Sequence, residues 1–142
     1  MSALPDGNSD PASAPGLIWA ATLDIYAGFL ASDRPRIDAH LHPDATFWDT
    51  DEPELISGRA ELDAVRDRRP AADGGRTVTA LDGVDPVIDV WGDTALARHW
   101  VTVRFSSNDV PAQSVRVTTV WRLTDGRWLA VHNHEDVRAT SR

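Results

Sequence analysis

The 142-residue chain contains no cysteine. That excludes a disulfide framework and any thiolate chemistry. Lysine is absent too, so each of the 14 basic residues is an arginine. Schiff-base catalysis and a phosphate-loop lysine are therefore excluded. No apolar run approaches the ~20 residues that cross a bilayer. The N-terminus lacks the basic start and apolar centre of a secretory signal. From these absences we expect a cytoplasmic protein with no membrane partner. Positive charge is also scarce, with a net charge of −8. An acidic chain repels phosphate backbones, so no nucleic-acid partner is expected. The excess of acid serves solubility.

What is present suits one domain, with a hydrophobic fraction of 42% and room for a single core. Residues 1–15 are rich in Ser, Ala, Pro, Asp and Gly, too polar to offset the entropy of ordering, and are expected to form a disordered tail. The folded domain is expected over residues 16–138, with a second tail at 139–142.

From Gly16 the pattern is helical. Trp19, Leu23, Tyr26 and Leu30 recur at helical spacing and predict one buried face. Asp33 can cap a second short helix, whose inner face would be Ile37 and Leu41. His42-Pro43-Asp44 is expected to break it. Ala45 to Thr50 then reads as a short strand, with Phe47 and Asp49 on one face and Trp48 on the other. Gly58 can open a third helix, with Glu61 as capping partner, Leu62 and Val65 inward and Pro70 as terminator. Residues 71–75 read as a loop.

The rest is strand. Thr77 to Val90 is long, and Pro86 marks it as an edge or a bulge. Trp91-Gly92-Asp93 turns the chain. In Ala95 to Phe105, His99 shares a face with Ala97, Val101 and Val103, while Arg98, Trp100 and Arg104 share the other. Val115 to Val137 reads as two alternating strands joined by a tight Asp125-Gly126 turn. Val115, Val117, Thr119 and Trp121 share one face of the first. Leu129, Val131, Asn133 and Glu135 share one face of the second, and Trp128, Ala130, His132 and His134 the other. A one-residue slip would reverse that assignment. Helices followed by a strand meander predict an α+β domain with helices packed on one face of a bent sheet.

Several of these residues can carry chemistry. Asp49 in an apolar cavity would have a raised pKa, suited to a general base; it could instead cap a turn or pair with an arginine. His99 on an apolar face could assist, or be a satisfied core residue. Thr119 and Trp121 could line a pocket, Trp121 offering a flat wall and one N–H, or simply pack the core. His132 and His134 alternate on a strand and could chelate together, whereas His40 and His42 diverge near a helix end. No clear metal set emerges, and no cofactor is implied. Trp48 and Trp100 project away from the expected pocket, as aromatics at association surfaces do.

The layout from Leu17 to Val137 resembles the nuclear transport factor 2-like superfamily, and within it the SnoaL-like proteins. The resemblance implies a cone, in which a curved antiparallel sheet wraps round the N-terminal helix and leaves a pocket at its wide end. Within it, HPDATFWDTDEPELISG (His42 to Gly58) resembles the ketosteroid isomerase segment carrying the general base, which falls on Asp49. The two oxyanion donors of that enzyme fall on Ile25 and Thr119, with Tyr26 roughly 100° round the helix from the first. The segment Val120 to Glu135 resembles the association domain of calcium/calmodulin-dependent kinase, matching at Trp121, Asp125-Gly126, Trp128, His132 and His134. The isomerase comparison turns Asn133 and Glu135 toward the pocket and the two histidines outward.

The expected function is a small-molecule pocket protein, as an enzyme doing acid–base work on an apolar carbonyl or polycyclic ligand. Asp49 and His99 would be catalytic. Tyr26, Phe47, Thr119, Trp121, Asn133 and Glu135 would bind the ligand. A homodimer through the convex sheet face would use Trp100, Trp128, His132 and His134. The alternatives are a non-catalytic binding or assembly domain, and a chain whose pocket is filled by its own side chains.

Overall fold

The computed structural model describes residues 12–69 and 76–138. Most of the expected N-terminal tail, Pro70, the 71–75 loop and the 139–142 tail lie outside the described residues. The chain order is α1 (Ala14–Leu30), α2 (Arg34–Asp38), β1 (Leu41–Trp48), β2 (Ile56–Ser57), α3 (Gly58–Arg68), β3 (Val78–Trp91), β4 (Thr94–Phe105), β5 (Gln113–Thr124) and β6 (Arg127–Val137). The strands form one curved, unclosed sheet in the order β2-β1-β6-β5-β4-β3. All pairings are antiparallel except that of β1 with β6. The architecture is α+β, as the sequence predicts.

Local signals set the element ends. Ser13 caps α1 by accepting the Gly16 N–H at 3.1 Å, so the helix starts at Ala14 rather than Gly16. Asp33 caps α2 by accepting the Arg36 N–H at 3.2 Å. At α3, Glu61 accepts the Ser57 N–H at 2.9 Å, which satisfies one of the free donors of a helix start. Asp125 (φ 50°) and Gly126 (φ 81°) make the tight turn between β5 and β6, the left-handed backbone that a two-residue hairpin needs. Pro86 lies on the edge strand β3, where the register shifts between Val84 and Val87.

Three expectations are corrected. The buried face of α1 is broader and rotated: Ile18 and Thr22 are buried, Ala21 and Ile25 pack on the core, and Leu23 and Leu30 stay exposed. Trp19 and Tyr26 reach the side where β3 curls over the helix, beside Gly83. A helix enclosed by a curved sheet meets it over a wide arc, so a single stripe does not describe it.

His42-Pro43-Asp44 is not what ends α2, which already closes at Asp38 with Ala39 as its C-cap. These residues lie within β1, and Leu41 starts that strand rather than facing inward from α2. The β1–β6 register shifts between Leu41 and Thr46. The irregularity excuses Pro43 from the hydrogen-bond ladder, where it cannot donate.

The third correction concerns β6. Val120 pairs with His132, but Trp121 pairs with Ala130. Val131 is therefore an extra residue, a β-bulge. Beyond it Asn133 and Glu135 face inward as expected. Before it Ala130 is buried and Trp128 packs against the main core, both facing in rather than out. Trp128 is thus no part of the convex surface.

The core gathers Ile18, Leu41, Ile88, Ala95, Ala97, Trp121 and Ala130, and a smaller cluster holds Val101, Val115 and Val117.

Candidate functional site

The inner face of the sheet carries polar groups in registered rows. One row runs Ala97, Thr119, Asn133, Phe47 across β4, β5, β6 and β1. The next runs His99, Val117, Glu135. Polar side chains buried in such rows need partners, and here they find one another.

At the mouth, Asp49 follows β1 and Glu135 approaches the end of β6. Both line an open cleft of about 480 Å³, with Thr50, Asp51, Gln113, Asp136 and Val137. Oδ1 of Asp49 accepts the Asp51 N–H at 2.9 Å and pairs with the Arg69 guanidinium at 2.9 Å. Asp49 is thus at once a turn cap, half of an ion pair and a wall of the cleft. Burial pushes the Glu135 carboxyl above the usual range, and the neighbouring Asp49 charge adds to this. The Asn133 amide works against that shift by donating to Glu135 Oε2 at 3.0 Å. Behind it, the Thr119 hydroxyl donates to Asn133 Oδ1 at 2.6 Å.

Deeper in, Tyr26 from α1 and His99 from β4 share a hydrogen bond of 2.5 Å between the phenol oxygen and Nε2. Trp19 sits edge-on to the same imidazole, ring centres 5.2 Å apart. Burial pulls His99 down to about 4, so the ring is neutral at pH 7. Burial, with the Glu135 charge, pushes the Tyr26 phenol up. A charged form has no solvation there, so both groups stay neutral.

The structure therefore brings Glu135, Asn133 and Thr119 into one hydrogen-bonded chain, with the Asp49 charge beside Glu135 and Tyr26 within electrostatic reach of it. Trp121 is part of the core, and the half-buried Phe47 packs against it. Trp121 is 1% exposed, and its indole N–H finds no acceptor among the described residues. Two features were missed by sequence reasoning. Arg69 comes from the end of α3, and no local pattern ties it to Asp49. The Tyr26–His99 bond spans 73 residues, beyond any periodicity.

The opposite face of the sheet carries a second open cleft of about 430 Å³, lined in part by Val87, Arg98, Trp100, Arg116 and His134. Trp48 and Trp100 are exposed there. His132 bonds Thr46 Oγ1 through Nδ1 at 2.8 Å. Among the described residues no His, Asp or Glu group is arranged to hold a metal ion, and no described helix is long and apolar enough to cross a membrane.

Solved structures share this architecture. The hub of a calcium/calmodulin-dependent kinase from S. rosetta is similar at a TM-score of 0.76 and 22% identity, covering 91% of this chain and 100% of the hub. The hub homology domain from Chlamydomonas reinhardtii gives 0.72 and 20%, covering 89% and 99%. A protein from Parabacteroides distasonis, provisionally assigned as a ketosteroid isomerase, gives 0.69 and 20%, covering 89% of each chain. At these identities the likeness speaks for the fold. No curated protein matches the chain. The SnoaL-like domain model matches residues 23–131, from the middle of α1 to the bulge in β6, and the chain belongs to that domain family.

Proposed function

We propose that this chain is a small-molecule pocket protein that performs general acid–base chemistry at the Asp49–Glu135 cleft. The observation that carries the reading is the desolvated Glu135 carboxyl beside the anchored Asp49 carboxylate. Two carboxyls in unlike surroundings can divide the roles of base and acid. The Asp49 carboxylate takes a proton from the carbon next to a ligand carbonyl. Glu135 gives its proton to the carbonyl oxygen, so the ketone becomes an enol. Asp49 then delivers its proton to a different carbon of the conjugated enol while the enol O–H returns to Glu135, so the ketone reforms as an isomer and both carboxyls regain their starting states. His99 and Tyr26, both neutral, form the polar end of the apolar interior and orient the ligand. Proton transfer by positioned groups of this kind is worth about 10²–10⁴ in rate.

The test is turnover of a panel of ketones and polyketide-like compounds by Asp49→Asn and Glu135→Gln variants. Loss of activity in both supports the pair. Unchanged turnover in both removes it.

A second reading has its own observation. The convex face exposes Trp48, Trp100, Val84 and Val87, and two structural neighbours are kinase hubs. In this reading the chain self-associates through Trp100, His132 and His134, with Trp128 left out because it packs inside. Light scattering separates the cases: a large ring supports an assembly domain, and a dimer is compatible with the enzyme.

A further inference from the structure

We infer that Thr119 is a positioning residue for Glu135: its hydroxyl fixes the Asn133 amide so that the nitrogen, not the oxygen, faces the carboxyl. This rests on the reading of Glu135 as the proton-exchanging group.

Asn133 Oδ1 bears no hydrogen, so the 2.6 Å contact to Thr119 Oγ1 exists because the hydroxyl donates. With Oδ1 so engaged, Nδ2 points the other way, to Glu135 Oε2 at 3.0 Å. A carboxylate only accepts, so this direction is the one it requires. The three side chains form one chain of donation from Thr119 through Asn133 to Glu135. Register holds it: Thr119 stands opposite Asn133 across β5 and β6, and Glu135 is two residues further along the same face. Thr119 is 6% exposed, and its one proton is spent on Asn133. It therefore acts through Asn133 and does not touch the ligand.

The groups that face Glu135 are known from each neighbouring element. Asp49 and Asp51 approach from beyond β1, Arg69 from the end of α3 and Tyr26 from α1. Neutral His99 ends the same inner row on β4. Removing the Thr119 hydroxyl strands Asn133 Oδ1 without a donor. Turning the amide over leaves Nδ2 unpartnered in its place and presents oxygen to Glu135. An oxygen there repels the carboxylate and accepts from the carboxylic acid, so the proton is held more tightly.

The test uses the full chain without ligand, labelled with carbon-13 at glutamate carboxyls, with the Glu135 signal identified by Glu135→Gln. The titration midpoint of that signal is followed in wild type, Thr119→Val, Thr119→Ser and Asn133→Ala. Thr119→Val is expected to raise it by about one unit, a tenfold gain in proton affinity. Asn133→Ala moves it the same way, and Thr119→Ser restores the wild-type midpoint because it keeps the hydroxyl. If Thr119→Val does not fold, Thr119→Ala takes its place with the same expectation. A Thr119→Val midpoint equal to wild type overturns the inference, as does Thr119→Ser shifting as far as Thr119→Val. No substrate enters this measurement, so a failed ketone panel strikes the acid–base reading and is distinct from a failure here.

Discussion

Thr119 and Asn133 face each other across β5 and β6, with one pair, Val120 and His132, between them and the point where Val131 drops out of the ladder. The bulge keeps Ala130 and Trp128 in the core on one side of it and turns Asn133 and the cleft-lining Glu135 inward on the other. Bulges commonly re-aim side chains beside functional sites, and this one joins a packed half of a strand to a polar half.

The first prediction concerns acid. His99 has a folded-state pKa depressed from 6.5 to about 4. Below 6.5 the unfolded chain takes a proton that the folded chain refuses. The stabilisation is fully present above 6.5, is lost as pH falls toward 4, and changes no further below that. The slope from this one group is about 1.4 kcal/mol per pH unit. Urea unfolding across that window, in wild type and His99→Gln, should show the slope and its disappearance.

Tyr26→Phe removes the hydroxyl from the 2.5 Å bond to His99 Nε2 and leaves a buried nitrogen without its partner. The expected loss is about 1–3 kcal/mol, measured by chemical denaturation at pH 7. A loss of a few tenths would mean that another group satisfies His99.

Gly83 lies under α1 where a Cβ would come 2.9 Å from Trp19 Cη2. Gly83→Ala should cost about 1–3 kcal/mol by overpacking. Trp19→Phe should recover part of that in the double variant, because a smaller ring vacates the contact. Additive losses in a double-mutant cycle would show that the two positions do not collide.

The Asp49 charge helps to hold the Glu135 proton, while the Arg69 charge opposes it. Asp49→Asn removes the first and frees the second. The Glu135 titration midpoint should therefore move down, toward the ordinary carboxylate range, in the same carbon-13 measurement. An unchanged midpoint would put burial alone in control of Glu135.

Much of the fold was legible because its signals are local. Asp33, Glu61 and Asp125-Gly126 act on backbone groups within a few residues, and alternation in β4 and β5 correctly put His99, Thr119 and Trp121 on the inner face. Pro86 announced its irregular edge strand. Alternation could not reveal the bulge at Val131, since an extra residue leaves no mark in composition. It therefore placed Trp128 and Ala130 on the wrong face. The strand through Pro43 was hidden likewise, because a proline reads as a break unless the partner strand is known to skip it.

The sequence by itself determined the order of the three helices and the five longer strands, the inward face of the β4–β5 pair and the absence of cysteine and lysine chemistry, because propensity, capping and side-chain inventory are properties of short segments. Only the tertiary structure decided that Arg69 meets Asp49, that Tyr26 meets His99 and that Thr119 reaches Glu135 through Asn133. The first two meetings join separate elements, and the third depends on how β5 and β6 are paired. All follow from how the sheet curves round α1, a collective outcome of packing that no single segment encodes.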